Sequence, residues 1–492
     1  MEMFPENDRE LRNKRGNVPE MPMSWRPDRT NLTRPIYMTL TRMLEADISS
    51  GRLSPGTKLP GQRDLADYLD VNMTTVTRAY KMCQEKGLVY AVPGSGTYVS
   101  SPSQAFLPDL KGGTVDGVID LGSDAFFDQC NDIVASAVKK VAVSSDIENI
   151  MGTSIYETRM AYRSTAVNWL RNLGLKTDGD HLFFVSGSRS AVDLALSALF
   201  VPGDRVATEP FISRSFLEVA RLRGIILVPV PSDRYGMIPE ELDRIHRKNP
   251  LAGVYLMPSC SDPTASSMPE MRKKAIAGVI LRRSLILLEN DPFAFFSADL
   301  DPDYQGPVSR HVPGRSVYII SGAESVSTGL SAGFMVAGDL VRKPLFRAGD
   351  VSGTRASALS SAVYAELISG GGAGEIVRKK RRLAAAANNR FESCFERVWG
   401  RPPEVNGNPF SFYRWLPADN RVSGPEMEKK LEEMGVKVAH SWRYAVDPGN
   451  GNVYLRITLA GRHSAMQLES GLETIFRYLK ERKDTYENNK WK

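Results

Sequence analysis

Gly187-Ser188, followed by Ala191, Leu194, Ala195 and Ala198 at helical spacing, sets free backbone N–H groups at a helix N-terminus, where an anion is favoured and Arg189 stands beside it. Glu324, in Ile319-Ile320-Ser321-Gly322-Ala323-Glu324-Ser325-Val326, offers a carboxylate, which accepts protons and hydrogen bonds but cannot form an imine. No Lys or Arg lies between Arg315 and Arg342, so that stretch has no amine nucleophile. Metal chemistry is not indicated. Cys83, Cys130, Cys260 and Cys394 are far apart, and His181, His246, His311, His440 and His463 lack ligand spacing. The basic run Arg378-Lys379-Lys380-Arg381-Arg382 precedes an alanine-rich helical pattern and reads as a solvated helix face.

These groups must be positioned by a chain of 492 residues, which is long enough for two or three domains. With 42% hydrophobic and 24% charged residues it has the composition of a globular protein. No apolar run approaches the roughly 18–20 residues needed to cross a bilayer, and no apolar segment follows the charged N-terminus. The expectation is a soluble cytoplasmic protein with reduced cysteines and no membrane partner. A net charge of +6 is compatible with nucleic acid without arguing for it.

Residues 1–33 are polar, rich in proline and charge, and read as a flexible arm. From Ile36 to Ile48 apolar residues recur at helical spacing, and Ser50-Gly51 stops the helix. A second helix turns Leu65, Ala66 and Leu69 inward. After the turn Asp70-Val71-Asn72, a third helix, capped by Asn72, turns Val76, Ala79, Tyr80 and Cys83 to the core. Two short strands around Pro93-Gly94-Ser95-Gly96 complete a winged helix-turn-helix over residues 34–100.

This segment resembles the DNA-binding domain of the GntR family of bacterial regulators. The likeness rests on Ser49-Ser50-Gly51-Arg52-Leu53-Ser54-Pro55-Gly56, on Leu59-Pro60 with Arg63-Asp64-Leu65-Ala66, and on Pro93-Gly94-Ser95-Gly96-Thr97. It implies that Arg63, Asn72, Thr74, Thr75 and Thr77 meet the major groove and phosphates of double-stranded DNA, with Arg78 adding charge nearby. Gly94, Ser95 and Gly96 would reach the minor groove. Met73 and Thr77 stand where members of the family often place arginines. Eight Lys/Arg against six Asp/Glu leave residues 34–100 a net charge of +2, so two half-sites bound by a homodimer are expected.

Residues 101–117 read as a linker, and beyond them helical patterns alternate with six short runs apolar on both faces. They are 181–185, 205–208, 225–230, 253–257, 284–288 and 316–320, and they predict an α/β domain, residues 118–485, with a mostly parallel central sheet. A small C-terminal subdomain is expected over about residues 385–485.

The landmarks Val185-Ser186-Gly187-Ser188, Asp262-Pro263-Thr264, Glu289-Asn290-Asp291 and Tyr454-Leu455-Arg456-Ile457 resemble those of fold-type I aminotransferases. With the N-terminal module, the whole chain is similar to the MocR subgroup of GntR regulators. That resemblance implies a pyridoxal phosphate site, of which Ser188 belongs to a part that survives. Six roles are unfilled. Glu324 stands at the imine lysine, Asn290 at the carboxylate that keeps the pyridine nitrogen protonated, and Asp262 and Phe293 at the partners of the ring hydroxyl. Ser331 stands at the phosphate arginine and Ile212 at the stacking aromatic residue. Asp291 is next to Asn290 but on the opposite strand face.

Losing only the pyridine and phosphate partners, at about 1.5–3 kcal/mol each, would weaken cofactor binding by roughly 10²–10⁴. Covalent attachment is excluded at Glu324, and no cofactor is expected. Arg456 matches the arginine that clamps a substrate carboxylate; it would either hold a small anionic effector or form a salt bridge to Glu324 or Asp262. The expected function is a bacterial DNA-binding transcription regulator with a pseudo-aminotransferase domain and no catalytic residues. The alternative is a regulator or enzyme that holds pyridoxal phosphate non-covalently.

Overall fold

The computed structural model describes residues 23–54, 56–85, 88–92, 95–100, 117–152, 155–297, 304–403, 408–419, 421–447, 453–461 and 463–489. The chain divides into two compact units between Gly112 and Gly113. Most of the expected arm, most of the linker, and Pro93 and Gly94 of the wing lie outside the described residues.

In the first unit, helices Ile36–Ser49, Gln62–Leu69 and Met73–Glu85 pack around Leu40, Leu44, Leu65, Leu69, Val76, Ala79 and Cys83, all buried. The hairpin Val89–Val92 and Gly96–Val99 is antiparallel, pairing Val89 with Val99. Gly96 takes φ +133°, and a Cβ there would come within 2.9 Å of Lys58 Cε, so glycine is required where the second strand starts. Part of the expected arm belongs to this unit. Trp25 is 4% exposed, joins the core and donates from its indole N–H to Asp47 Oδ2 at 2.8 Å. The arm reading is corrected for residues 23–33: its composition is polar, but one tryptophan buries enough surface to hold it.

The second unit centres on a seven-stranded sheet in the order Leu182–Val185, Gly333–Ala337, Ser316–Ser321, Ile286–Asn290, Gly253–Leu256, Arg205–Thr208, Ile226–Pro229. Gly333–Ala337 runs antiparallel to both neighbours, and the other pairings are parallel. All six expected strands are present. Successive residues serve opposite faces: Val317 and Ile319 join one apolar cluster, Tyr318 and Ile320 another.

A smaller antiparallel sheet joins Tyr413–Pro417, Tyr454–Thr458 and Ala439–His440. Helices Gly372–Trp399 and Ala465–Asn489 contribute Phe391, Phe395 and Phe476 to the same core cluster as Leu455 and Ile457 of that sheet. Ile119–Asp120 pairs in parallel with Val436–Lys437. Among the described residues, no helix is long and apolar enough to cross a membrane.

Candidate functional site

The C-terminal ends of the parallel strands are where an α/β sheet presents groups to a ligand. Ile286–Asn290 ends at Asn290, which is in register with Ile319 on the neighbouring strand. That neighbour, Ser316–Ser321, runs directly into the short helix Gly322–Ser325, which carries Glu324. Ser321 caps the helix through its hydroxyl, accepting from Ala323 N at 3.0 Å. A Cβ at Gly322 would overlap the Tyr364 ring and the Ala332 carbonyl, so the approach to Glu324 admits glycine alone.

Glu324 Oε2 is buried with no hydrogen-bond partner. Burial raises its pKa, an effect that Ser321 and the charge of Lys380 oppose and that of Asp262 reinforces. Lys380, 2% exposed on Gly372–Trp399, donates to the Glu324 carbonyl at 2.9 Å and to that of Ala323 at 3.5 Å. Burial lowers the Lys380 pKa to about 8. The expected solvated face is therefore corrected at this residue: the basic run lies inside the helix, and Lys380 falls on the stripe of Ile376, Val377 and Ala384, all buried.

Asn290 is 7% exposed; its Nδ2 donates to Tyr255 Oη at 3.2 Å, and its Oδ1 is buried without a partner. Asp291 turns to a different group, accepting from Ser259 N at 3.2 Å and Ser259 Oγ at 2.8 Å. Ser188 opens helix Ser188–Leu199 behind Gly187 at φ +99°, and its Oγ is also buried without a partner. Ile212 is buried in the apolar cluster that also holds Phe216 and Leu217. Phe293 lies edge-on to Phe412, with centroids 5.0 Å apart. Ser331 is exposed at φ 43°.

Arg456, 4% exposed, is committed within the chain. It meets Asp262 at 2.9 Å and Asp124 at 3.1 Å, donates to Thr458 Oγ1 at 2.9 Å, and lies 4.2 Å from the Tyr413 ring centroid. Of the two expected salt bridges, the one to Asp262 forms. Arg456 therefore already carries two carboxylates, the structural one of the two roles expected for it. Asp124 was not singled out from sequence, where it lies in a segment without periodicity.

In the winged unit Asn72 does cap the third helix, its Oδ1 accepting from Thr74 N at 2.9 Å and Thr74 Oγ1 at 2.8 Å. The Thr77 hydroxyl lies 2.7 Å from Gln62 Oε1 and 2.9 Å from the Met73 carbonyl. Arg78 stacks its guanidinium 4.7 Å from the Tyr37 ring centroid. Arg63, Asn72, Thr74, Thr77 and Arg78 are exposed, with Thr75 partly so, and Ser95 and Gly96 are exposed at the wing.

The family model for bacterial regulatory proteins, gntR family, matches residues 36–99, and that for aminotransferase class I and II matches residues 116–475. The uncharacterized HTH-type transcriptional regulator YdeF of Bacillus subtilis (strain 168) is 27% identical, covering 93% of this chain and 97% of its own length. The vitamin B6 salvage pathway transcriptional repressor PtsJ of Salmonella typhimurium is 29% identical over 51% of this chain and 56% of its own. Among solved structures, the alpha-aminoadipate aminotransferase LysN of Thermus thermophilus superposes with a TM-score of 0.65 at 19% identity, covering 74% of this chain and 92% of its own. That likeness shows the fold. The chain belongs to the aminotransferase class I and II family and carries a gntR-family module ahead of that domain, the two-part build of the MocR subgroup.

Proposed function

We propose that this protein is a bacterial one-component transcription regulator acting in the cytoplasm. The winged unit binds operator DNA, with Arg63 and the exposed face of the third helix on the major groove and phosphates and Ser95 and Gly96 at the minor groove. The aminotransferase-like domain dimerises the chain and senses a small molecule without covalent pyridoxal phosphate. The observation that carries this reading is Arg456 already closed by Asp262, beside a Glu324 that we assign to the imine position. Pyridoxal phosphate does not fit these residues: Asn290 holds no charge for a protonated ring nitrogen, Phe293 has no hydroxyl, and Ser331 no cation. YdeF, matched over nearly its whole length, supports the regulator reading.

Two measurements on the purified full chain test it. Genomic fragments captured by the protein should share a motif of two spaced half-sites, and its absorption spectrum should show aromatic bands alone. Capture without sequence preference, or a yellow protein that transaminates, would overturn the reading.

A further inference from the structure

We propose that a cleft on the large unit, at the end of the sheet opposite the candidate site, binds a small molecule through a diphosphate group. The cleft encloses about 520 Å³ and is lined by Arg171, Lys176 and Arg310, with Gly174, Leu175 and Thr177. Lys176 precedes the strand Leu182–Val185 and Arg310 precedes the strand Ser316–Ser321, whereas Ser188 and Glu324 follow the ends of the same two strands. Both strands are antiparallel to Gly333–Ala337 between them and so run the same way. The cations therefore stand where these strands begin, and the candidate site lies where they end.

Backbone packing brings the three cations together. Gly174 has φ +70°, and a Cβ there would lie 2.8 Å from the Gln305 carbonyl oxygen. Gly306 has φ +122°, and a Cβ there would lie 3.2 Å from the Leu173 carbonyl oxygen and 3.3 Å from Arg310 Cδ. Glycine lets the two turns meet this closely, and their contact sets Arg310 against the turn between Arg171 and Lys176. Among the described residues, no carboxylate pairs with any of the three. Arg171 donates to Asn168 Oδ1 at 3.0 Å and Arg310 to the Gln305 carbonyl, both uncharged, and Lys176 has no side-chain partner. Asp178, the carboxylate adjacent in sequence, is turned to His181 at 2.7 Å.

Three like charges in one cleft repel one another, and a cleft lined by one sign of charge concentrates counter-ions. A phosphate ester brings about 1.5–2 negative charges near pH 7, so three cations match two phosphate groups rather than one. The two guanidinium groups offer forked N–H donors that fit phosphate oxygens. No aromatic ring is among the described lining residues, so the diphosphate itself is what the cleft recognises.

The test titrates the full chain, by calorimetry at constant ionic strength, with inorganic pyrophosphate, inorganic phosphate and succinate. Pyrophosphate should bind saturably and the other two at least tenfold more weakly. Arg310→Gln and Lys176→Gln should each weaken pyrophosphate binding about tenfold or more, as expected for the loss of one charge-assisted bond. Both side chains are exposed, so the variants should keep the fold, which circular dichroism checks. Phosphate or succinate binding as tightly as pyrophosphate, or a pyrophosphate affinity unchanged in both variants, would overturn the proposal. Gel-shift titration with DNA captured by the full chain separates the other source of phosphate. The variants should bind that DNA as the wild type does; weakened DNA binding without saturable pyrophosphate binding would assign the cleft to the nucleic-acid backbone instead.

Discussion

The ammonium of Lys380 lies 2.9 Å from the backbone carbonyl of Glu324, the residue we propose for the imine position of the aminotransferase fold. The chain thus keeps a buried lysine at this place but directs it to the main chain. Together with the bond to Ala323 it satisfies carbonyls at the end of the short helix Gly322–Ser325, where a cation is favoured. Two consequences can be measured.

Glu324→Lys restores the imine nucleophile but leaves Asn290, Phe293, Asp262, Ile212 and Ser331 unchanged, and it brings a second ammonium near Lys380. After incubation with pyridoxal phosphate and dialysis, the variant should retain no stoichiometric cofactor, show no band bleached by borohydride and catalyse no transamination. Borohydride treatment of the wild type should leave Lys380 unlabelled. Circular dichroism establishes that the variant is folded; a folded variant that purifies yellow would show that the pocket still fits the cofactor.

Removing one side of a buried ion pair strands the other. Arg456→Leu should therefore destabilise the chain by about 3–5 kcal/mol in urea titration, because Asp262 loses the cation that compensates its burial. Asp124 has a side chain 64% exposed, so Asp124→Asn should cost less than about 1 kcal/mol. Equal losses would mean that the network is not centred on Asp262.

Arg63 is exposed on Gln62–Leu69, next to the helix capped by Asn72. Arg63→Ala should weaken binding to most DNA sequences by roughly 1–3 kcal/mol and make affinity less sensitive to salt, as loss of a phosphate contact requires. Gel-shift titrations at two salt concentrations check both. An effect confined to one sequence would assign the side chain to a base instead.

Residues 1–104 alone should bind DNA weakly, because the net charge of +2 on residues 34–100 gives one copy little hold. The full chain should bind two spaced half-sites much more tightly. Equal affinities of fragment and full chain in gel-shift titrations would defeat the dimer argument.

Glu289 accepts from Val308 N at 2.8 Å and Ser309 N at 2.7 Å, but burial and then the charge of Asp291 raise its pKa to about 7. The folded state therefore holds its proton more tightly than the unfolded chain does. Its stabilising share is complete below about pH 4.5 and is lost as pH rises through about 7. Subtracting the stability of Glu289→Gln from that of the wild type across this window should give a curve that falls with pH. A flat difference would mean that Glu289 titrates normally.

The sheet was legible because each parallel strand is a short run apolar on both faces, as the buried centre of an α/β domain demands. Gly333–Ala337 is equally apolar but follows Ser316–Ser321 through a short connection without a long helix, so it enters antiparallel and escaped the alternating pattern. In the site, the ion pair between Arg456 and Asp262 was one of two bridges the residue types allowed. Lys380 was hidden by its charged neighbours. Ile376 and Val377 one turn before it and Ala384 one turn after marked its face as inward, and that spacing outranks the charge of any one residue. Asp124 had no such signal, since what brings it to Arg456 is the meeting of segments more than 300 residues apart.

The two-residue pairing of Ile119–Asp120 with Val436–Lys437 ties the start of the large unit to a segment far along the chain. Ile119 N bonds the Gly435 carbonyl at 2.9 Å, Leu121 N that of Lys437 at 2.9 Å, and Thr458 N bonds the Leu121 carbonyl at 2.8 Å. Three residues on, Asp124 grips Arg456. The start of the large unit is thus stitched to Val436–Lys437, to Thr458 and to Arg456 within six residues, from 119 to 124. Val436–Lys437, the strand Tyr454–Thr458 and Arg456 are all held by the same six residues.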